Sequence, residues 1–383
     1  MVFEFCNFLV KVLKFHTISH VVRDSEFHSH PGPAHDSTEN LLVITCDDGT
    51  EGLAFGPMDE RVILSTVKEI LIGEDPFFRE RMWRRLVQLQ RLRRNLTEST
   101  LCAVDVAIWD LCGKKLNLPV SKILGQYREY IPAYASIMVG DDIPGGLDTP
   151  SAYAKFAASL VKQGYKAIKL HTWMPPIVPE PSVKMDLEAA RKVREEVGDD
   201  IVLLMDPYHF YSMEEALELA DGLHSLGFLW MEEPLDEHSM ENFIWLQKKT
   251  KLHICGPETV EGKMYSRADW IRHNAADIGR AGLIYSGGIT SVMKTVHLYE
   301  ANGMSLELHG NHIGSLHVLG AMGIDGKYYE RGMLHPLLDY ETPKPWFTKI
   351  HDPLMPDGTV PVPTDSGIGY SPNWDYINAN LIK

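Results

Sequence analysis

The sequence has no apolar run long enough for a membrane span, no recognisable leader and no closely spaced pair of cysteines. No stretch reaches the roughly 18 apolar residues of a transmembrane helix, so we expect no membrane span. The apolar opening MVFEFCNFLVKVLKF carries charges and lacks a basic leader and a small-residue cleavage site, which argues against a signal peptide. Five cysteines form no CxxC pair and are odd in number, which favours a reduced, cytoplasmic compartment.

Basic residues are also in short supply. The chain has 37 lysines and arginines against 52 aspartates and glutamates, which gives a formal net charge of −15. Nucleic acids and anionic membranes are bound by basic surfaces, so neither is an expected partner. With 383 residues, of which 44% are hydrophobic and 23% charged, the chain is long enough for a full barrel and a smaller domain.

Three acidic residues each end a short apolar segment: Asp206 in IVLLMDP, Glu232 in LWMEEPL and Glu258 in HICGPET. Successive acids are 26 residues apart, about the length of one strand, one helix and two short loops. Repeated βα units would bring the three carboxylates together at the C-terminal ends of successive barrel strands. Converging anions repel unless a cation lies between them, and oxygen ligands without Cys or His favour Mg²⁺. Taken singly, each acid could merely end a strand or cap a helix, but the equal spacing favours one shared magnesium site.

Residues 1–130 are predicted to form an α+β capping domain. Segments 16–23 and 40–47 have the composition of strands, and residues 58–117 are predicted to be helical. The segment 24–37 between the strands is rich in Pro, Gly and His and is predicted to be a loop. This loop is either solvated surface or a lid that hydrogen-bonds a polar substrate.

From residue 131 the pattern changes to alternating strands and helices, and the strands are rich in Val, Ile and Leu, as expected for strands buried on both faces. We therefore predict an α/β fold, a modified (β/α)₈ (TIM-type) barrel over residues 131–345 that carries the metal site. Residues 346–383 are expected to return to the capping domain, which this tail and the N-terminal segment build together. The predicted barrel strands are 132–139, 166–171, 201–206, 228–232, 252–258, 275–280, 305–310 and 327–330.

The second barrel strand, KAIKLH, supplies candidate bases. Period-2 alternation puts Ala167, Lys169 and His171 on one face and Ile168 and Leu170 on the other. The apolar pair suits the helix layer, so the two basic side chains are expected to point into the barrel mouth. Burial and a neighbouring dication would lower the pKa of the lysine, whereas an imidazole is a base near pH 7 without tuning. Either residue is therefore a candidate base, and the alternative is that Lys169 snorkels outward or only pairs with a ligand carboxylate.

These residues resemble a known family. The stretch AVDVAIWDLCGKKLNLPVSKILG (103–125), the strand KAIKLH, the three carboxylates, SGGIT (286–290) and His309 are similar to the enolase superfamily and, within it, to the mandelate racemase subgroup. The resemblance implies a capping domain over a modified barrel and one Mg²⁺ held by carboxylates matching Asp206, Glu232 and Glu258.

The resemblance also implies roles for other residues. Proton transfer is assigned to the end of the second barrel strand, here Lys169 and His171, and to His309 at the end of the seventh. Glu330, in KYYER, matches a carboxyl group that hydrogen-bonds the substrate carboxylate and donates to it if protonated. We also expect Tyr134, on the first barrel strand, to contact the substrate.

The sequence departs from the family pattern at two places. Relatives often have a second lysine where this chain has His171, and an aspartate that pairs with the catalytic histidine where this chain has Gly282. Strand alternation selects Arg280 and Glu307 as the inward residues one layer below His309. We therefore predict a buried Arg280–Glu307 salt bridge, which either supports the histidine or is only structural.

The sequence thus predicts a Mg²⁺-dependent lyase that removes the proton α to the carboxylate of a sugar acid. The metal-stabilised ene-diolate would then lose its β-hydroxyl as water and give a 2-keto-3-deoxy acid. The alternatives are a racemase, an epimerase or a sugar-lactone cycloisomerase on the same scaffold, and a catalytically silent binding or structural relative, which calorimetry with Mg²⁺ and EDTA would distinguish. The expected ligand is a small sugar acid, and the protein is expected to form a homo-oligomer.

The loop histidines give a direct test of the lid hypothesis. If His28 or His30 contacts the distal end of the substrate, replacing both by Ala should change kcat/KM and the order of preference among sugar acids. Steady-state kinetics on a panel of mono- and di-acid sugars measures this. An unchanged profile would identify the loop as solvated surface.

Overall fold

The computed structural model describes residues 8–24, 31–171, 182–208, 211–324 and 326–382. Its N-terminal part is an antiparallel sheet in the order β1-β2-β3. The strands are β1 Val10–Asp24, β2 Pro31–Cys46 and β3 Glu51–Phe55.

The hairpin of this sheet is longer than the sequence predicts. β1 reaches Asp24 and β2 begins at Pro31, and His35 pairs with Val22 across the hairpin. The prediction of a loop over 24–37 is therefore wrong for residues 31–37, because pairing with the backbone of β1 outweighs the poor strand propensity of Pro and Gly. His28 and His30 lie outside the described residues.

A long buried helix supports the sheet. Helix α4 Glu98–Leu116 is buried at every position from Thr100 to Gly113, and Thr97 caps it by accepting a hydrogen bond from the amide of Thr100. A left-handed residue, Asn117, ends it. The helical segments of this region are α1 Glu60–Val62, a π turn Ile63–Val67, α2 Lys68–Leu71, a 3₁₀ turn Pro76–Phe78, α3 Arg79–Gln90, α4 Glu98–Leu116 and α5 Val120–Leu124.

Parallel strands and outer helices follow in alternation. The strands are β4 Tyr130–Ile137, β5 Ala167–His171, β6 Val202–Asp206, β7 Trp230–Glu232, β8 His253–Cys255, β9 Gly279–Gly282, β10 Leu306–His309 and β11 Tyr329–Leu334. The helices are α6 Pro150–Gln163, α7 Val183–Val197, α8 Met213–Ser225, α9 Met240–Gln247, α10 Lys263–His273, α11 Leu283–Ser286, α12 Ile289–Ala301 and α13 Ile313–Ala321. The eight strands match the predicted ones with ends shifted by a few residues, whereas the short helix α11 was not predicted.

The pairing order of the strands follows the chain around a barrel. Strands β11, β4, β5, β6, β7 and β8 are hydrogen-bonded in that order, and β9 pairs with β10. A parallel bridge between Cys255 and Ile278 joins β8 to the start of β9. The sequential parallel arrangement confirms the predicted barrel and places the C-terminal ends of all its strands at one mouth.

The predicted faces of β5 are confirmed. Ala167 packs inside the barrel with Tyr134 and Trp230, whereas Ile168 and Leu170 belong to the core between the strands and the helices. Period-2 alternation therefore turns Lys169 and His171 inward.

The tail returns to the cap, as predicted. Leu381 bridges to Ile18 of β1, and Trp346 packs with the cap residues Leu41 and Phe55. Within the tail, β12 Thr359–Pro361 pairs antiparallel with β4, and α14 Trp374–Ala379 follows. Among the helices in the described part of the chain, none has the length and apolar composition that crossing a bilayer requires.

The SGGIT motif is where the cap docks on the barrel. The carboxylate of Asp105 on α4 accepts hydrogen bonds from the amide and the hydroxyl of Thr290, so a cap residue caps barrel helix α12. Gly288 has φ +100°, and a Cβ there would lie 2.5 Å from the Asp105 carboxylate. Trp109 of α4 also donates to the Thr290 hydroxyl, at 3.0 Å. The glycine is therefore required by the close approach of α4 and by its own backbone conformation.

Replacing Asp105 by Ala should loosen this contact. Two donors of Thr290 would lose their acceptor, and we expect the free energy of unfolding to fall by about 1–2 kcal/mol. Hydrogen exchange in the first turn of α12 should accelerate as well. The control is Asp59→Ala, which removes an N-cap inside the cap domain, since Asp59 accepts from the amide of Val62. Unchanged exchange in α12 would contradict the docking role.

Candidate active site

Three predicted ligand carboxylates lie buried at the barrel mouth. Asp206 and Glu232 end β6 and β7, and Glu258 lies three residues beyond the end of β8. The three residues are 5%, 0% and 4% exposed. Water can therefore screen their charges only weakly, and protein cations are needed between them.

Two cationic side chains lie between these carboxylates. The Lys169 Nζ is 3.0 Å from the Glu232 Oε1 and 3.3 Å from the Asp206 Oδ2. The Arg280 Nη2 is 2.7 Å from the same Glu232 oxygen, and its Nε is 3.2 Å from the Glu258 Oε2. Glu232 is therefore the shared centre of the cluster.

Glu330 on β11 completes the cluster from the other side. Its two oxygens lie 2.9 Å from Lys169 and 2.9 Å from Arg280. It also accepts hydrogen bonds from the Ser136 hydroxyl and the Gly310 amide, at 2.9 and 2.7 Å. Four carboxylates thus share two protein cations.

These contacts set the protonation of the cluster. Burial opposes charge on Lys169, but Glu232 and Glu330 outweigh it and raise the pKa of the lysine well above its ordinary value. Burial likewise opposes charge on Glu330, but Lys169 and Arg280 hold its pKa well below the usual range. These contacts favour the charged form of both side chains, and the roles of Lys169 as a base and of Glu330 as a donor to the substrate stay predictions.

His171 lies beside Asp206. Its Nε2 is 3.3 Å from the Asp206 Oδ2, and its Nδ1 contacts the carbonyl oxygen of Ile137. Because a carbonyl oxygen only accepts, Nδ1 carries a proton and Nε2 is the nitrogen that faces the carboxylate cluster. The ring of Tyr208 packs on the imidazole, with centroids 4.9 Å apart.

His309 lies on the opposite side of the cluster. Its Nδ1 is 2.8 Å from the Glu258 Oε1 and 3.6 Å from the Glu330 Oε2. Burial opposes protonation of His309, but Glu258 outweighs it and raises the pKa of the imidazole. Glu232, Glu258 and His309 each offer a ligand atom within 4.8 Å of the others, a grouping that includes the histidine and omits Asp206.

The predicted Arg280–Glu307 salt bridge is wrong. The two residues are register partners on β9 and β10, but Arg280 pairs with Glu232, Glu258 and Glu330 above it. Glu307 instead accepts hydrogen bonds from the backbone amides at positions 327 and 328, at 2.9 and 3.2 Å. The arginine extends toward the greater negative charge, and backbone donors satisfy the glutamate, whose pKa burial raises to about 7.

Tyr134, on β4, lies beneath the two cations. It is fully buried, and its hydroxyl oxygen lies 3.1 Å from the Arg280 Nη2. Its ring centroid is 5.4 Å from the Lys169 Nζ. Tyr134 therefore packs against both cations from the barrel floor, and its contact with the substrate stays a prediction.

The donor set fits a hard divalent ion. The Oε2 of Glu232 is buried and has no hydrogen-bond partner, although the other oxygen of the same carboxylate contacts two cations. A buried carboxylate oxygen left without a partner is costly. Carboxylate oxygens from Asp206, Glu232 and Glu258 are the ligands that Mg²⁺ prefers.

The sequence reasoning missed several residues near the site. Tyr285 packs on His309, with ring centroids 5.3 Å apart, and Tyr208 packs on His171. Glu237 and Arg267 hold the loop that carries Glu258 through backbone hydrogen bonds. No sequence motif marks these residues, because each is recognised only by its contacts in the folded chain.

Together the fold and the site define a class: a capped parallel barrel with acidic and basic side chains at its mouth, suited to a metal-dependent enzyme. Residues 20–125 match the mandelate racemase / muconate lactonizing enzyme N-terminal domain, and residues 152–376 match the family described as enolase C-terminal domain-like. The chain belongs to the enolase superfamily, in its mandelate racemase subgroup.

Individual relatives include both dehydratases and isomerases. A crystal structure of D-glucarate dehydratase from Agrobacterium tumefaciens, complexed with magnesium, is 44% identical with a TM-score of 0.96, covering 98% of this chain and 100% of that one. D-galactarolactone cycloisomerase of Agrobacterium fabrum is 27% identical, covering 96% of this chain and 97% of its own. L-talarate/galactarate dehydratase of Salmonella typhimurium is 25% identical, with coverages of 81% and 78%.

Gly282 gives a test of how tightly the site is built around His309. A Cβ at this position would lie 3.3 Å from the Cβ and Cδ2 of His309 and from the Cδ2 of Tyr285. Gly282→Asp should therefore displace the imidazole and lower kcat/KM by roughly 10- to 100-fold. Gly282→Ala, which adds only the Cβ, should have a smaller effect, and thermal unfolding checks that both variants fold. A faster Gly282→Asp enzyme would contradict the argument.

Proposed function

We propose that this protein is a Mg²⁺-dependent hydro-lyase that dehydrates a sugar acid to a 2-keto-3-deoxy acid. The supporting observation is the buried carboxylate set of β6, β7 and the loop after β8, flanked by basic side chains on β5 and β10. Membership of a family with dehydratases among its members favours the same reaction.

In this proposal Asp206, Glu232 and Glu258 hold the metal. When bound, the divalent ion supplies Lewis-acid stabilisation of negative charge on the substrate carboxylate. The contacts of Lys169 with Asp206 and Glu232 support a place for this lysine directly beside that carboxylate, where it would contribute positive charge.

His171 and His309 are the proposed proton carriers. The Nε2 of His171 faces the cluster from β5, so we propose that it accepts the α-proton. The electron pair of the broken C–H bond moves into the carboxylate and returns to expel the β-hydroxyl. His309, on the other side of the cluster and held with a raised pKa, would give that hydroxyl a proton, so that it leaves as water. Tautomerisation of the enol gives the 2-keto product.

We further propose a six-carbon sugar di-acid as the first substrate to test. The support is the 44% identity to a structure named D-glucarate dehydratase over nearly the whole chain. Cycloisomerisation is the second candidate, because the relative named D-galactarolactone cycloisomerase aligns over 97% of its own length. Detecting a 2-keto product, or only an isomer of unchanged mass, separates the two reactions.

Replacing Glu232 by Gln tests the metal site. One oxygen of the shared carboxylate would become an amide nitrogen, so Mg²⁺ binding and activity should fall by more than the roughly 100-fold typical of losing an outer-shell partner. Calorimetry with Mg²⁺ measures the binding, and circular dichroism checks the fold. The control is Glu261→Gln, an exposed acid nearby. Wild-type Mg²⁺ affinity in the Glu232 variant would refute the proposed site.

A further inference from the structure

The loop that carries Glu258 needs support that its own strand does not give. Strand β8 ends at Cys255, so Glu258 lies in the irregular segment 257–260. Backbone groups of such a segment have no ladder partners, yet Glu258 is only 4% exposed. Other side chains must therefore satisfy this backbone.

Glu237 supplies the acceptors. Its carboxylate accepts hydrogen bonds from three successive amides, those of Glu258, Thr259 and Val260, at 2.5, 2.6 and 3.1 Å. It also accepts from the hydroxyl of Thr259 at 2.8 Å. One buried carboxylate thus holds every amide of the segment from the metal-site residue onward.

Arg267 supplies the donors. Its Nη2 donates to the carbonyl oxygens of Pro257 and Glu258, at 3.1 and 2.6 Å, and its Nη1 donates to that of Val260 at 2.6 Å. The side chain is fully buried and comes from α10. The planar guanidinium donates to three carbonyls from two nitrogens in a fixed fork, a spread that the single nitrogen of an ammonium group does not provide.

The two residues connect separate parts of the barrel mouth. Glu237 lies five residues beyond Glu232, in the loop that follows β7, whereas Arg267 lies on the helix that follows β8. The pair, here called the Glu237–Arg267 clamp, therefore fixes the loop of one proposed ligand relative to the loop of another. Neither residue touches the Lys169–Arg280 cluster through an ion pair in the described residues.

We propose that Glu237 and Arg267 are positioning residues that hold the carboxylate of Glu258 in the geometry required for divalent-metal binding. The inference rests on the proposed function, in which Glu258 is a metal ligand. Outer-shell partners of this kind orient the ligand before the metal arrives, and their loss typically costs 10- to 100-fold in metal affinity.

Glu237→Gln is the main test. The amide keeps the size of the side chain but turns one oxygen into a donor that faces amide donors, so the segment should shift. Titration calorimetry with Mg²⁺ alone should show affinity lowered by about 10- to 100-fold, while circular dichroism stays native. Arg267→Lys is the second variant, which keeps the charge but loses the forked donors, and it should weaken Mg²⁺ binding in the same direction.

Asp277→Asn is the matched control. Asp277 also holds the backbone of β8, accepting from the amide of Ile254 at 2.9 Å, but within the strand and not in the loop that carries Glu258. Its replacement should lower the melting temperature and leave Mg²⁺ affinity within about twofold of the wild type. Equal losses of Mg²⁺ affinity in Asp277→Asn and Glu237→Gln would show a general loss of stability and overturn the positioning role.

Glu258→Gln separates this inference from the proposed function. If Glu258→Gln binds Mg²⁺ like the wild type, the proposed metal site itself fails. If Glu258→Gln loses Mg²⁺ but folded Glu237→Gln and Arg267→Lys both retain wild-type affinity, the metal site stands and the clamp is refuted. Should one of the clamp variants fail to fold, the other decides the outcome.

Discussion

Charge compensation at the barrel mouth is the constraint on which the rest of the structure depends. Four buried carboxylates converge on Lys169 and Arg280, and the central one, Glu232, is completely buried. Removing one member of a buried ion pair typically costs about 3–5 kcal/mol, because a charge is left without a partner. Because the paired residues lie on different strands, these ion pairs form only when the strands keep their register. A divalent ion bound to these carboxylates would neutralise part of their negative charge, so metal binding should stabilise the folded protein.

The supporting structure is arranged to keep this mouth rigid. Helix α4 of the cap caps α12 of the barrel through Asp105, and the tail packs on the cap sheet through Trp346. Below the cations, Tyr134 fills the barrel floor, and beside them backbone amides satisfy Glu307. The hydrogen bonds among these contacts satisfy polar groups that would otherwise be buried alone. The active-site charges are thus held by barrel residues, and the cap and the tail pack around that barrel.

The sequence by itself determined the fold and several of the residues that meet at the mouth. Three local patterns carried this information: the alternation of strands and helices, the period of two along β5, and the acids at three strand ends. Such patterns depend on short stretches of sequence, so they can be read without knowledge of long-range contacts. They were sufficient to predict the barrel, the inward Lys169 and His171, and the acids of three neighbouring strands. The end of β1 and the start of β2 were less predictable, because pairing across the hairpin decides where a strand stops.

Only the tertiary structure decided which charges pair. Strand alternation placed Arg280 and Glu307 on adjacent inward positions, yet the arginine binds three other carboxylates because their combined negative charge is larger. Backbone amides satisfy Glu307, so it needs no arginine partner. Glu237 and Arg267 hold the loop of Glu258. No local sequence pattern connects these groups with the residues they contact. Electrostatic partners are chosen by competition among all groups within reach. That set exists only once the chain has folded.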